Sequence, residues 1–234
     1  MITKENFPHV LDFLGFTKYE SSKSWTKTYN NYQLTTKINS LGNFEFIYPE
    51  DVELDRETTQ DDHQKESYVV FACVAQLFDL GYQPKQFKLE AKNYQGTDKG
   101  FCDILISRVE ENQGANEITK TSFLIIECKT EDLQNDNTDE FRKHWDKTKK
   151  NGDQLFRYFN TYRRAEYLCL YSCDWFGDKL VNTYNLISLI DNKEYLKSDK
   201  KLKSFEELRA NQGTSNEFFD VWKNIHGKNI VRVL

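Results

Sequence analysis

An acid and a base stand two residues apart, Glu127 and Lys129, where the apolar run Phe123-Leu124-Ile125-Ile126 ends. Four consecutive bulky apolar residues predict a central strand covered on both faces. Strand side chains alternate, so Glu127 and Lys129 project to one side and the Cys128 side chain to the other. Upstream, Phe101-Cys102-Asp103-Ile104-Leu105-Ile106 predicts a second strand that carries one carboxylate beside the first. Two carboxylates can share a hard cation such as Mg²⁺ through their oxygens, and a neighbouring ammonium can orient water or offset charge on a phosphate. That is the chemistry of phosphodiester hydrolysis.

Further residues extend the pattern on either side. Gln154 and Tyr158, spaced i and i+4, lie one above the other on a predicted helix. Glu66 stands at the start of the apolar helix Ser67-Tyr68-Val69-Val70-Phe71-Ala72-Cys73-Val74, in the first turn, where a carboxylate also suits the positive end of the helix dipole. The spacing of Asp103, Glu127 and Lys129 resembles the Asp-x(n)-Glu-x-Lys motif of the PD-(D/E)XK nucleases, with Cys102 where the proline of the motif's name would stand. The order helix acid, Asp, Glu-x-Lys, Gln-x-x-x-Tyr resembles the amino-terminal nuclease domain of type I restriction enzymes. It also resembles the same domain fused ahead of N6-adenine DNA methyltransferases. The similarity runs from about His63 to Trp175 and includes the Gly81-Tyr82-x-Pro84 turn and the strand ending at Glu90.

The resemblance implies a restriction-endonuclease-like α/β fold, a mixed central sheet flanked by helices, and Mg²⁺-dependent (or Mn²⁺-dependent) cleavage of double-stranded DNA in a restriction-modification system. On that footing Asp103, Glu127, Lys129, Gln154 and Tyr158 are the catalytic set, and Glu66, Asp103, Glu127 and Cys128 the metal-binding set. Replacing Asp103, Glu127 or Lys129 by alanine is expected to abolish cleavage and spare the fold. Methyltransferase, specificity or motor modules would act in cis or in trans, because no Walker loop, helix-turn-helix or zinc finger is visible in this chain. Two rival readings stay open. One is a nuclease-like module kept for DNA binding or docking without catalysis; the other is a metal-dependent hydrolase of small phosphodiesters.

The net charge of −5 argues against indiscriminate polyanion binding but leaves room for a local basic surface. Arg142, Lys143, Lys147, Lys149 and Lys150 cluster after the candidate site, with Arg157, Arg163 and Arg164 beyond. Arg142, Lys143 and Lys147, together with Lys99 from a glycine-bearing loop, are the predicted DNA-backbone contacts. Cys73, Cys102, Cys128, Cys169 and Cys173 lie mostly in apolar segments and read as reduced core residues. No run approaches the ~18 apolar residues of a membrane-spanning helix, and the first residues open no signal peptide, so a cytoplasmic protein is expected.

A chain of 234 residues can bury a sizeable core. Residues 1–60 are expected to form a short helix and an antiparallel β extension, turning at Asn30-Asn31 and Gly42-Asn43 and serving as scaffold or docking surface. Residues 61–178 make the nuclease core and 179–234 an α/β extension. The apolar end Ile230-Val231-Arg232-Val233-Leu234 suggests a natural chain that continues. Within the core, Phe87, Leu89 and Ala91 are expected to alternate against Lys88, Glu90 and Lys92 along one strand.

Overall fold

The computed structural model describes residues 1–92, 100–112, 117–132, 140–151, 154, 155, 158, 165–188 and 210–214. Lys99, Arg157, Arg163 and Arg164, and residues 189–209 and 215–234 of the expected α/β extension, lie outside these, as do the side chains of Lys149 and Lys150.

The chain opens with α1 (Phe7–Phe13), whose Phe7, Val10 and Leu11 face inward. Four strands follow, β1 (Thr17–Tyr19), β2 (Ser24–Thr28), β3 (Gln33–Ile38) and β4 (Phe44–Ile47), paired antiparallel in sequence order. Gly42 turns the β3-β4 hairpin with φ +81°, a conformation open to glycine at little steric cost. The extension is joined to the rest of the core. Phe7 meets Phe44, Phe46, Tyr68 and Phe71 at ring-centroid distances of 4.7 to 6.0 Å, so aromatic packing welds it to the first long helix. Tyr29 and Tyr32 stack and donate hydrogen bonds to the Ala75 and Tyr82 carbonyls.

After β5 (Glu53–Leu54) comes that helix, α2 (Glu66–Asp79), buried along nearly its whole length because apolar or small residues occupy almost every position. Gly81, at φ +94°, ends it. Then come β6 (Phe87–Lys92), β7 (Phe101–Asn112), β8 (Glu117–Cys128), α3 (Glu140–Asn151), β9 (Tyr167–Phe176), β10 (Lys179–Ser188) and β11 (Ala210–Thr214). The large sheet runs β11-β10-β9-β8-β7-β6-β5. It is mixed: β5 with β6 and β8 with β9 are parallel, the other pairs antiparallel. The sheet therefore crosses both expected domain boundaries. β5 precedes residue 60, and β10 pairs with β9 over the whole length of each strand.

Helices cover both faces, which explains the unbroken apolar runs of the central strands. On one face, α2 packs against Ile104, Ile106, Leu124, Ile126, Cys128 and Cys169. On the other, Leu155 and Tyr158, with Trp145 of α3, pack against Leu105, Ile125 and Leu168. Between α2 and β9-β10 lies a closed polar cluster in which Gln76, Tyr171 and Asn182 satisfy one another at 2.6 to 3.2 Å. All five cysteines are buried thiols. Among the described residues no helix is long and apolar enough to cross a membrane.

Candidate active site

The predicted alternation at the end of β8 holds. Glu127 and Lys129 face the side lined by Ile125 and Tyr158, whereas the Cys128 thiol lies in the opposite core, beside Cys73. The assignment of Cys128 to the metal-binding set is therefore corrected at the side chain. The thiol points away from the carboxylates, and only the main chain of Cys128 reaches the site, its N–H donating to Asp103 Oδ2 at 2.6 Å. That bond ties the tip of β8 to β7 and orients Asp103.

Lys129 is nearly enclosed, its side chain 7% exposed, and the ammonium sits 2.7 Å from Glu127 Oε1 and 3.1 Å from Glu66 Oε1. Glu66 reaches it from the first turn of α2. The site thus gathers residues of three elements around one cation supplied by the chain itself. Burial alone would push this lysine down, but Glu127, Asp103 and Glu66 together hold it above its ordinary range.

The carboxylates are pushed upward too, which for an acid disfavours the charged form. Burial raises Glu127 to about 7, Lys129 pulling it back and Glu66 adding repulsion. Asp103 is held well above the usual aspartate range, first by burial and then by the charge of Glu127. These two titrate as a pair.

Gln154 and Tyr158 meet as the i, i+4 spacing predicts, the Gln154 amide donating to the Tyr158 hydroxyl. That hydroxyl donates in turn to the Phe101 carbonyl at the start of β7. A Cβ added at Gly100 would lie 3.4 Å from the Tyr158 ring, in van der Waals contact, so the ring packs closely over the start of β7. The phenol also lies near enough to Glu127 to favour its charged form weakly. With its single hydrogen committed to Phe101, however, Glu127 Oε2 is buried without a hydrogen-bond partner among the described residues.

Sequence periodicity missed one feature. Glu90 is buried and has φ +50°, a left-handed conformation rarely adopted by a residue with a Cβ and costing about 1–3 kcal/mol. The strand changes face there: Leu89, paired with Ile104, packs toward α2, whereas Ala91, paired with Cys102, packs toward Tyr158. The expected alternation of Phe87, Leu89 and Ala91 on one face is thus broken. Asp103 occupies the same turning point on β7, between Cys102 and Ile104. No sequence pattern marks this, because glutamate has no local preference for such a backbone.

Of the predicted DNA contacts, Arg142, Lys143 and Lys147 lie exposed on α3, and Lys143 pairs with Glu140 at 2.8 Å. Among the described residues no group of three or more His, Cys, Asp or Glu side chains is arranged to hold a metal ion. Glu66 pairs with Lys129 instead of joining the two strand carboxylates. No protein-family model matches the chain, and no curated protein matches it.

A divalent cation would compete with protons for Asp103 and Glu127. Its affinity is therefore expected to climb as pH rises toward 7, by about tenfold per pH unit for each proton displaced, and to flatten above the titration of the pair. Mn²⁺ titrations by calorimetry in buffers of different ionisation enthalpy measure both the affinity and the protons released. An affinity level from pH 5.5 to 8 would contradict the elevated carboxylates.

Proposed function

We propose that this chain is a divalent-metal-dependent DNA endonuclease domain of the PD-(D/E)XK kind, working within a restriction-modification assembly. The observation that carries the reading is the meeting of Asp103, Glu127 and Lys129 at adjoining strand ends, with Glu66 and the Gln154-Tyr158 pair closing around them. Mutually repelling carboxylates, and a Glu127 Oε2 with no hydrogen-bond partner among the described residues, fit a missing positive charge. Asp103 and Glu127 would hold Mg²⁺ or Mn²⁺, with Glu66 available if it leaves Lys129. When bound there, the cation supplies polarisation of a phosphate oxygen and acidification of a water.

The remaining work falls to the chain's own groups. Lys129 carries a positive charge at every relevant pH and offsets charge that builds on phosphate. Asp103 is oriented by the Cys128 N–H. Tyr158, locked by Gln154 and Phe101, keeps the start of β7 in place under Asp103. Arg142, Lys143 and Lys147 offer a basic surface for the DNA backbone. Choice of sequence and movement along DNA are assigned to methyltransferase, specificity or motor modules in cis or in trans.

The rival, a nuclease-like module that docks or binds DNA without cutting, is favoured by the way Lys129 already satisfies Glu66 and one oxygen of Glu127. Supercoiled plasmid separates the two. Nicking or linearisation in Mn²⁺, stopped by EDTA and by excess duplex but not by small phosphodiester nucleotides, is expected of the nuclease. Mn²⁺ binding without any strand breakage would favour the rival, and inhibition by nucleotides alone would favour a small-molecule hydrolase.

A further inference from the structure

Arg56 stands two residues after the end of β5, outside every motif discussed above. Its guanidinium carbon lies 4.6 Å from the centroid of the Phe101 ring, and Nε is 3.9 Å from Glu90 Oε2. Both neighbours belong to the candidate site. Phe101 stands two residues before Asp103, and its carbonyl receives the Tyr158 hydroxyl. Glu90 marks the turning point of β6 opposite Asp103.

The segment bearing Arg56 is fixed on the sheet. The Asp55 N–H donates to the Leu89 carbonyl at 3.2 Å, the Asp55 carboxylate accepts from the Lys92 N–H at 2.8 Å, and Lys88 pairs with Asp55 at 2.9 Å. The Arg56 side chain is nonetheless 46% exposed. Its guanidinium carbon sits over an aromatic ring, and the Glu90 carboxylate is too distant for a direct hydrogen bond. Among the described residues these are the ion pair and the ring contact it makes, and nearly half of the side chain stays open to solvent. A planar guanidinium held in this way is suited to grip a phosphate with two parallel hydrogen bonds.

We infer that Arg56 is a substrate-contact residue, a clamp on a DNA phosphate at the β5-β6 edge of the sheet, on a different element from the exposed basic residues of α3. The inference rests on the nuclease reading and adds to it a second point of backbone contact. The carboxylate of Glu90 then has a use that accounts for its unfavourable backbone, since it steadies the guanidinium on Phe101.

The test measures binding apart from cleavage. A fluorescein-labelled duplex is titrated with the full chain in Ca²⁺, at several salt concentrations, and followed by anisotropy. Arg56→Ala is expected to weaken binding about tenfold and to lower the slope of log affinity against log salt by about one. Arg56→Lys is expected to restore the slope and less than half of the lost affinity, because an ammonium neither stacks flat nor forks. Mn²⁺ affinity and melting temperature should match wild type in both variants. An unchanged affinity and slope in Arg56→Ala would overturn the assignment while leaving the nuclease reading in place, and so would a loss of binding matched by a lowered melting temperature. Wild-type protein that neither binds duplex in Ca²⁺ nor cuts plasmid in Mn²⁺ would overturn the nuclease reading itself.

Discussion

Asp103→Asn is expected to abolish Mn²⁺-dependent DNA cleavage and, in EDTA at pH 8, to melt roughly 3 to 6 °C above the wild type. Both effects have one cause. The Asp103 carboxyl is held above its normal range by burial and by the Glu127 charge. As pH rises, the unfolded chain gives up this proton first while the folded state retains it, so the group lowers stability progressively from about pH 4 upward. An amide keeps an oxygen for the Cys128 N–H and removes the repulsion. The gain should therefore be absent near pH 3, below the unfolded value of about 3.9, where aspartate is protonated in both states, and grow toward pH 8. On the proposed nuclease reading cleavage is lost because an amide oxygen is a poor replacement for an anionic ligand. Thermal melts across pH, with plasmid assays beside them, provide the check. A variant that melts below wild type at pH 8 would refute the repulsion, and one that still cuts would remove Asp103 from the site.

Lys129→Met is expected to be the most damaging change to stability, about 3–5 kcal/mol at pH 8, because breaking a buried pair strands its partner. Here the stranded group is Glu127, with Glu66 beside it. The expectation that replacing Lys129 spares the fold is thereby revised, since the ammonium is part of what holds α2 to the end of β8. The sign of the pH dependence follows from Glu127. It already titrates near 7 with Lys129 present, and without that cation its folded-state value moves higher. Below the unfolded value of about 4.3 the carboxyl is neutral in both states, and the penalty accumulates between there and the raised value. The loss should thus be clearly smaller at pH 5 than at pH 8 in urea titrations. Equal losses at the two pH values would show that Lys129 acts through packing alone.

The parts of this site that could be read from residue order are those governed by local geometry. The facing of Glu127 and Lys129 follows from the two-residue period of a strand, and the contact of Gln154 with Tyr158 from one helical turn. The acid at the start of α2 is equally local. What was illegible depends on distant partners. Glu90 adopts its left-handed backbone where β6 and β7 switch faces together, and Arg56 finds Phe101 only once β5 is paired beside β6. The reach of Glu66 to Lys129, rather than to the strand carboxylates, is likewise a matter of tertiary distance. The same alternation that faces Glu127 and Lys129 together turns the Cys128 thiol into the core under α2, so its place in the metal-binding set rests on the family resemblance and not on the strand period.

The parallel pairing of β8 with β9 has a consequence in time. An antiparallel hairpin such as β7-β8 can zip from its turn, but parallel neighbours meet only after the chain between them has crossed over the sheet. Here the crossing carries α3 and the turn bearing Gln154 and Tyr158, and it returns at Glu166, whose N–H bonds the Phe123 carbonyl while its carboxylate grips Arg108. Asp103 and Glu127 are brought together early by their hairpin, whereas the tyrosine and its glutamine arrive with the slow, long-range closure. The topology thus divides the site between a local hairpin, which carries Asp103 and Glu127, and a longer crossover, which carries Gln154 and Tyr158.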